Sequence, residues 1–135
     1  MRFLLVFLCC AGVALAHSNA TGVVKERMDG MVALGQALKA LSADKLEPDL
    51  VRKLARDIQA QSGDTMLAGF PEGSLQHPSE AAPAIWTEPA RFAGYAQELK
   101  DLAGALEAEP ERLSEFLPLI GQSCKACHQT FRIKN

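Results

Sequence analysis

Leu113-Ser114-Glu115-Phe116-Leu117-Pro118-Leu119-Ile120-Gly121-Gln122-Ser123-Cys124-Lys125-Ala126-Cys127-His128 is an apolar stripe that runs into a C-x-x-C-H pentapeptide. Leu113, Phe116, Leu117, Ile120, Cys124, Cys127 and Phe131 recur three or four residues apart. That spacing stacks side chains on one face of an α-helix. Cys124, Cys127 and His128 therefore share a face and can point at one flat ligand. Pro118 falls inside the pattern and predicts a kink or a split in this helix.

Three other uses of such a cysteine pair fit less well. A thioredoxin-like redox pair opens a helix after a strand, and no strand-like run precedes Cys124. Zinc needs about four ligands, whereas the other histidines are His17 and His77 and the other cysteines are Cys9 and Cys10. A disulfide between residues three apart would close a very short loop and leave His128 without a role. C-x-x-C-H is the attachment signature of a c-type haem. The thiols of Cys124 and Cys127 add to its two vinyl groups, and His128 reaches the iron from one side. One covalently attached haem c per chain is expected.

The beginning of the chain agrees with that chemistry. Met1-Arg2 is a short positive start, residues 3–13 are almost wholly apolar, and Ala14-Leu15-Ala16 is a small-x-small cleavage site. A secretory signal peptide over residues 1–16 is expected, followed by a haem domain over 17–135. The apolar run is well short of the roughly 18–20 residues that cross a bilayer. No membrane attachment is expected after cleavage, and the expected compartment is the periplasm. Cys9 and Cys10 leave with the leader, so the two remaining cysteines both belong to the haem motif. The formal charge of −2 becomes slightly more acidic once Arg2 is lost. Nothing in that balance suits nucleic acid or a polybasic membrane surface.

Helical periodicity continues through the rest of the chain. Val24, Met28, Met31, Leu34, Leu38 and Leu41 form a first stripe between Thr21 and Ser42. After a turn at Asp44–Pro48 comes a second stripe of Leu50, Val51, Leu54 and Ile58, with Met66 as its possible continuation. Residues 69–83 carry three prolines, two glycines and His77, and read as a long connection. Thr87 is the expected N-cap of a third helix with Pro89 in its first turn, and Glu109-Pro110 opens the fourth. An all-α, antiparallel four-helix bundle with haem on its C-terminal helix is the expected fold.

Three stretches resemble the cytochrome c′ family and its low-spin relatives. Arg27-Met28-Asp29-Gly30-Met31 is similar to that family's Arg-x-x-x-(Met/Leu/Phe) first helix. Pro83-Ala84-Ile85-Trp86, followed by Pro89 and Phe92, resembles the start of its third helix. Cys124–Arg132 resembles its haem motif with a following aromatic and arginine. The resemblance implies a left-handed bundle with His128 as proximal ligand and Met31 facing the iron's other side. Met28, roughly 300° round the helix from Met31 at about 100° per residue, is the weaker candidate. The resemblance also implies that Arg132 lies near His128. Arg27 is the natural partner of a haem propionate, and Phe131 is expected to cover the haem edge. Trp86 reads as a packing residue, His77 as a surface histidine, and Gly30 and Gly35 as points of close approach to the haem or to a second subunit.

Met31 separates two functions. Bound to iron opposite His128, it gives a low-spin, one-electron carrier, because Met/His ligation raises haem potential. As a non-ligating lid or ordinary core filler, it leaves a five-coordinate cytochrome c′ open to nitric oxide or carbon monoxide. Peroxidase chemistry would need a distal acid–base group, for which only Asp29 and Gln36 lie nearby. No enzymatic activity is therefore expected. Redox proteins are the expected partners, and an acidic surface suits one with a basic patch. Family members often dimerise through the first two helices. The charge on Arg52, Lys53, Arg56 and Asp57 favours a monomer or a weak homodimer.

Overall fold

The computed structural model describes residues 19–133, and the leader expected over residues 1–16 lies outside them. Within that span the helices are α1 (Gly22–Leu41), α2 (Pro48–Ala60), α3 (Asp64–Ala68), α4 (Ala84–Thr87), α5 (Pro89–Ala108) and α6 (Leu113–Phe131). A 3-10 turn, Pro110–Arg112, leads into α6. The four long helices make an antiparallel four-helix bundle with neighbours in the order α1, α2, α5, α6 and back to α1. Among the described residues there is no strand, only an isolated antiparallel bridge between Ala81 and Arg132. No described helix is long and apolar enough to cross a membrane.

Proline starts two of the long helices. Pro48 and Pro89 occupy the first turns of α2 and α5, where the missing N–H has no intrahelical partner to lose. Thr87, expected to cap α5, instead ends the short α4, and Glu88 takes the cap position. Pro118 does not split the last helix, since α6 runs unbroken through it. Pro118 and Ser114, whose carbonyl it leaves without an intrahelical donor, both lie on the exposed side, where water can satisfy that oxygen.

The core has two parts. Leu41, Val51, Ile58, Leu106 and Ile120 are almost fully buried in the larger one, where α1 ends and α2 begins. Ala81, Ile85, Phe92 and Phe131 make the smaller one at the opposite end. Leu50 lies outside both, 44% exposed. It adjoins Val51, and consecutive helical residues do not face the same way. Met66 belongs to α3 rather than to α2. On α1 the buried residues are Val24, Arg27, Ala37 and Leu41, while Met28, Met31, Leu34 and Leu38 are half-buried. Met28 and Met31 face the cleft between α1 and α6 rather than either core cluster.

Gly63 makes the break between α2 and α3. Its φ is +59°, its N–H donates to Ala96 O at 2.9 Å, and a Cβ there would stand 2.8 Å from Lys100 Cδ. Farther along, Glu107 of α5 accepts from Gln59 Nε2 at 2.6 Å and from Arg56 Nη1 at 3.1 Å, both on α2. These bonds, Gln59's foremost, hold the Glu107 carboxyl below its usual range. A carboxyl depressed by folding adds stability above its unfolded pKa and loses it as pH falls through the folded value.

Gly63→Ala is expected to cost about 1–3 kcal/mol, because φ +59° with ψ −136° is a conformation essentially reserved for glycine, read as a lower urea midpoint. Glu107→Gln is expected to lower the midpoint at neutral pH. That difference from wild type should vanish as pH is lowered through the carboxylate range, which parallel urea titrations check.

Candidate functional site

A cleft of about 290 Å³ lies between α1 and the last turns of α6. Arg27, Met28, Met31 and Val32 line it from α1; His128, Phe131 and Arg132 line it from α6 and the residue after it. Phe70, Ser79, Glu80 and Ala81 come from the long connection, and Ile85 and Phe92 complete the apolar floor. The structure therefore brings Met31, His128, Phe131, Arg27 and Arg132 to one place. Met28 lines the same cleft as Met31. A rotation of about 300° is only about 60° the other way, so residues three apart share a face.

Both thiols of the haem motif are free and half-buried. Cys124 packs against the larger core and Cys127 against the smaller, so the pair straddles their junction. Before haem is attached, burial pushes both thiols up, Cys127 to about 11. His128 is solvent-accessible at the rim. Partial burial, followed by the positive charge of Arg132, lowers its pKa, while Glu80 acts in the opposite direction. A neutral imidazole keeps a ring lone pair for a metal.

The floor of the cleft is aromatic. Phe131 is buried with its ring centroid 5.2 Å from Phe92, and Phe92 lies 5.0 Å from Phe70, both edge-on. Trp86 donates from Nε1 to Phe70 O at 3.0 Å, which fixes the connection over the bundle in keeping with a packing role. His77 is exposed. A Cβ on Gly30 would come 2.9 Å from Gln61 Oε1, whereas one on Gly35 would meet nothing within 4 Å. The close neighbour of Gly30 is thus the flexible end of the Gln61 side chain.

Arg27 is buried, at 8% exposure, and has a partner set that the sequence did not announce. Nη1 donates to Gly69 O at 3.2 Å and Ser74 Oγ at 2.7 Å. Nη2 donates to Ser74 O at 2.5 Å and also to Ser79 Oγ. The guanidinium stands 4.7 Å from the Phe70 ring centroid. Its four terminal N–H groups are thus turned on the connection, although the residue also lines the cleft where a propionate was expected to meet it. Burial lowers its pKa, yet a guanidinium remains charged at any neutral pH.

Arg132 is held from the same connection. Its Nε donates to Glu80 Oε2 at 2.6 Å, and Nη2 lies 2.5 Å from that oxygen. Ile133 N–H donates to Glu80 O at 2.7 Å and Ala82 N–H to Phe131 O at 2.9 Å. Sequence reasoning missed Phe70, Ser79 and Glu80. The only signal available was an aromatic and several polar side chains clustered in a Pro- and Gly-rich stretch.

This donor set suits a haem. Two free thiols and one imidazole project from a single helix beside an aromatic cleft, and a thioether stands on the facing helix. Among the described residues no three His, Cys, Asp or Glu side chains are placed to hold a metal ion, so zinc finds no ligand set there.

A family sequence model described as Cytochrome C′ matches residues 22–132. Cytochrome c′ of Pararhodospirillum photometricum is 30% identical over 118 residues, spanning 81% of this chain and 94% of the relative. Cytochrome c-556 of Agrobacterium fabrum is 30% identical over 133 residues, spanning 93% and 88%. The solved structure of cytochrome c′ from Rhodopseudomonas palustris is 26% identical and superimposes with a TM-score of 0.77, covering 86% of this chain and 99% of that one.

Arg27→Gln is expected to speed hydrogen exchange across residues 70–80 at least about tenfold, since a bond to a charged donor contributes about 1.5–3 kcal/mol. Arg27→Lys should recover only part of the protection, because an ammonium lacks the forked geometry. Exchange followed by mass spectrometry measures both.

Proposed function

The chain belongs to the cytochrome c′ family and carries a covalently attached c-type haem, and on that footing we propose that it is a periplasmic one-electron carrier with His128 and Met31 as axial ligands. Family members are haem proteins that carry electrons or bind gases rather than enzymes. The observation that supports the carrier reading is that Met31 and His128 line one cleft from facing helices, α1 and α6.

Cys124 and Cys127 would hold the haem, which supplies a one-electron ferric–ferrous couple when bound. His128 offers its neutral imidazole from α6, and Met31 offers a flexible thioether from α1. Ile85, Phe92 and Phe131 exclude water from the floor, and Phe131 would cover the haem edge. Arg132 adds positive charge one turn beyond His128. The leader over residues 1–16 would deliver the chain to the periplasm, and its acidic balance suits a redox partner with a basic patch.

A second reading has its own support. Met28, Met31 and Val32 make an apolar α1 wall, and the terminal N–H groups of Arg27 are engaged by the connection. A five-coordinate iron facing that wall would take nitric oxide or carbon monoxide, which need no hydrogen-bond donor.

The visible spectrum of the holoprotein separates the two. The carrier should show a methionine-to-iron charge-transfer band when oxidised and no carbon monoxide binding when reduced. Met31→Ala should abolish the band and admit carbon monoxide, whereas Met28→Leu should change neither. A high-spin wild-type spectrum that shifts with carbon monoxide would refute Met31 ligation in favour of the gas-binding reading.

A further inference from the structure

We infer that Glu80 is a redox-tuning residue: its carboxylate holds Arg132 beside His128 and offsets that arginine's positive charge at the iron site. The inference goes beyond the axial-ligand reading and holds whether or not Met31 binds iron.

Glu80 is placed by its backbone as well as by its side chain. Its carbonyl accepts from Ile133 N–H at 2.7 Å, and the adjoining Ala81 forms the isolated bridge with Arg132. The connection thus lies alongside the residues that follow α6, in one register. From there the Glu80 carboxylate takes Arg132 Nε at 2.6 Å. Arg132 is tied back to the histidine's own turn, its N–H donating to His128 O at 3.3 Å. Glu80, Arg132 and His128 all line the same cleft. A positive and a negative charge are therefore both fixed against the wall that carries the axial imidazole.

The sign of each effect follows from charge alone. Oxidised iron carries one more positive charge than reduced iron. A nearby carboxylate stabilises the oxidised form and lowers the potential, while a nearby guanidinium raises it. Both side chains are partly exposed, at 55% for Arg132 and 38% for Glu80. Added salt should therefore screen each of them.

The test is spectroelectrochemistry of the holoprotein at low ionic strength. Glu80→Gln should raise the midpoint potential and Arg132→Gln should lower it. Each should shift the oxidised-to-reduced ratio at a fixed applied potential roughly two- to fivefold, the order expected of a half-exposed pair. The double variant should return close to wild type, Glu80→Asp should stay nearer wild type than Glu80→Gln, and added salt should shrink both single shifts. Thermal unfolding of each holoprotein gives the structural control, because loosening would lower Tm in both single variants and move both potentials in the same direction. Shifts of the same sign, or an unchanged potential in Glu80→Gln, would overturn the inference.

Discussion

A guanidinium buried in a small helical bundle must be given hydrogen-bond acceptors, and much of the architecture around the cleft follows from where Arg27 finds them. Carbonyls in a helix interior already accept from the N–H four residues on, and the acceptors Arg27 finds come from the long connection: Gly69 O, Ser74 Oγ and O, and Ser79 Oγ. Satisfying the charge draws that segment across the mouth of the cleft. Phe70 is brought under the guanidinium and into the aromatic row with Phe92 and Phe131. A leucine at position 27 would need no such partners and would give the connection little reason to take this path.

The second attachment of the connection is electrostatic and lies on the other wall. Glu80 and Arg132 join it to the turn that carries His128, so one irregular segment is fixed to both helices that border the cleft. Regular elements supply the chemical groups: thiols and imidazole from α6, thioether from α1. The irregular segment supplies their enclosure. Loops that run near function are commonly more mobile than the elements they connect. This one is restrained by a buried cation at one end and by an ion pair with backbone bonds at the other.

The long helices were legible because their signals are local. Apolar residues three or four apart, with Pro48 and Pro89 in first turns, need no knowledge of what lies opposite. The shared face of Cys124, Cys127 and His128 is equally local. The Arg27 network was hidden because its acceptors lie 42 to 52 residues away in a stretch with no periodicity. Expecting Arg27 to meet a haem propionate also turned attention to the cleft rather than to the connection. Glu80 was hidden for the same reason, 52 residues from Arg132. Thr87 misled because a good capping side chain says nothing of whether the preceding residues are themselves helical. Met28 was underrated by counting rotation in one sense only.

The division of the core into two clusters affects how this chain can change. Ile120 sits in the larger cluster and Phe131 in the smaller, eleven residues apart on α6, which is about 16 Å along a helix axis. Substitutions farther apart than roughly 7–10 Å with no shared partners combine additively. On the function proposed above, variation at Glu80, Arg132 or Met31 would register as iron chemistry and variation at Leu106 as stability, with Cys124, which packs against the larger cluster, as the point where the two meet. Mutation can explore new potentials or ligands at one end of the bundle while the other end goes on supplying the fold.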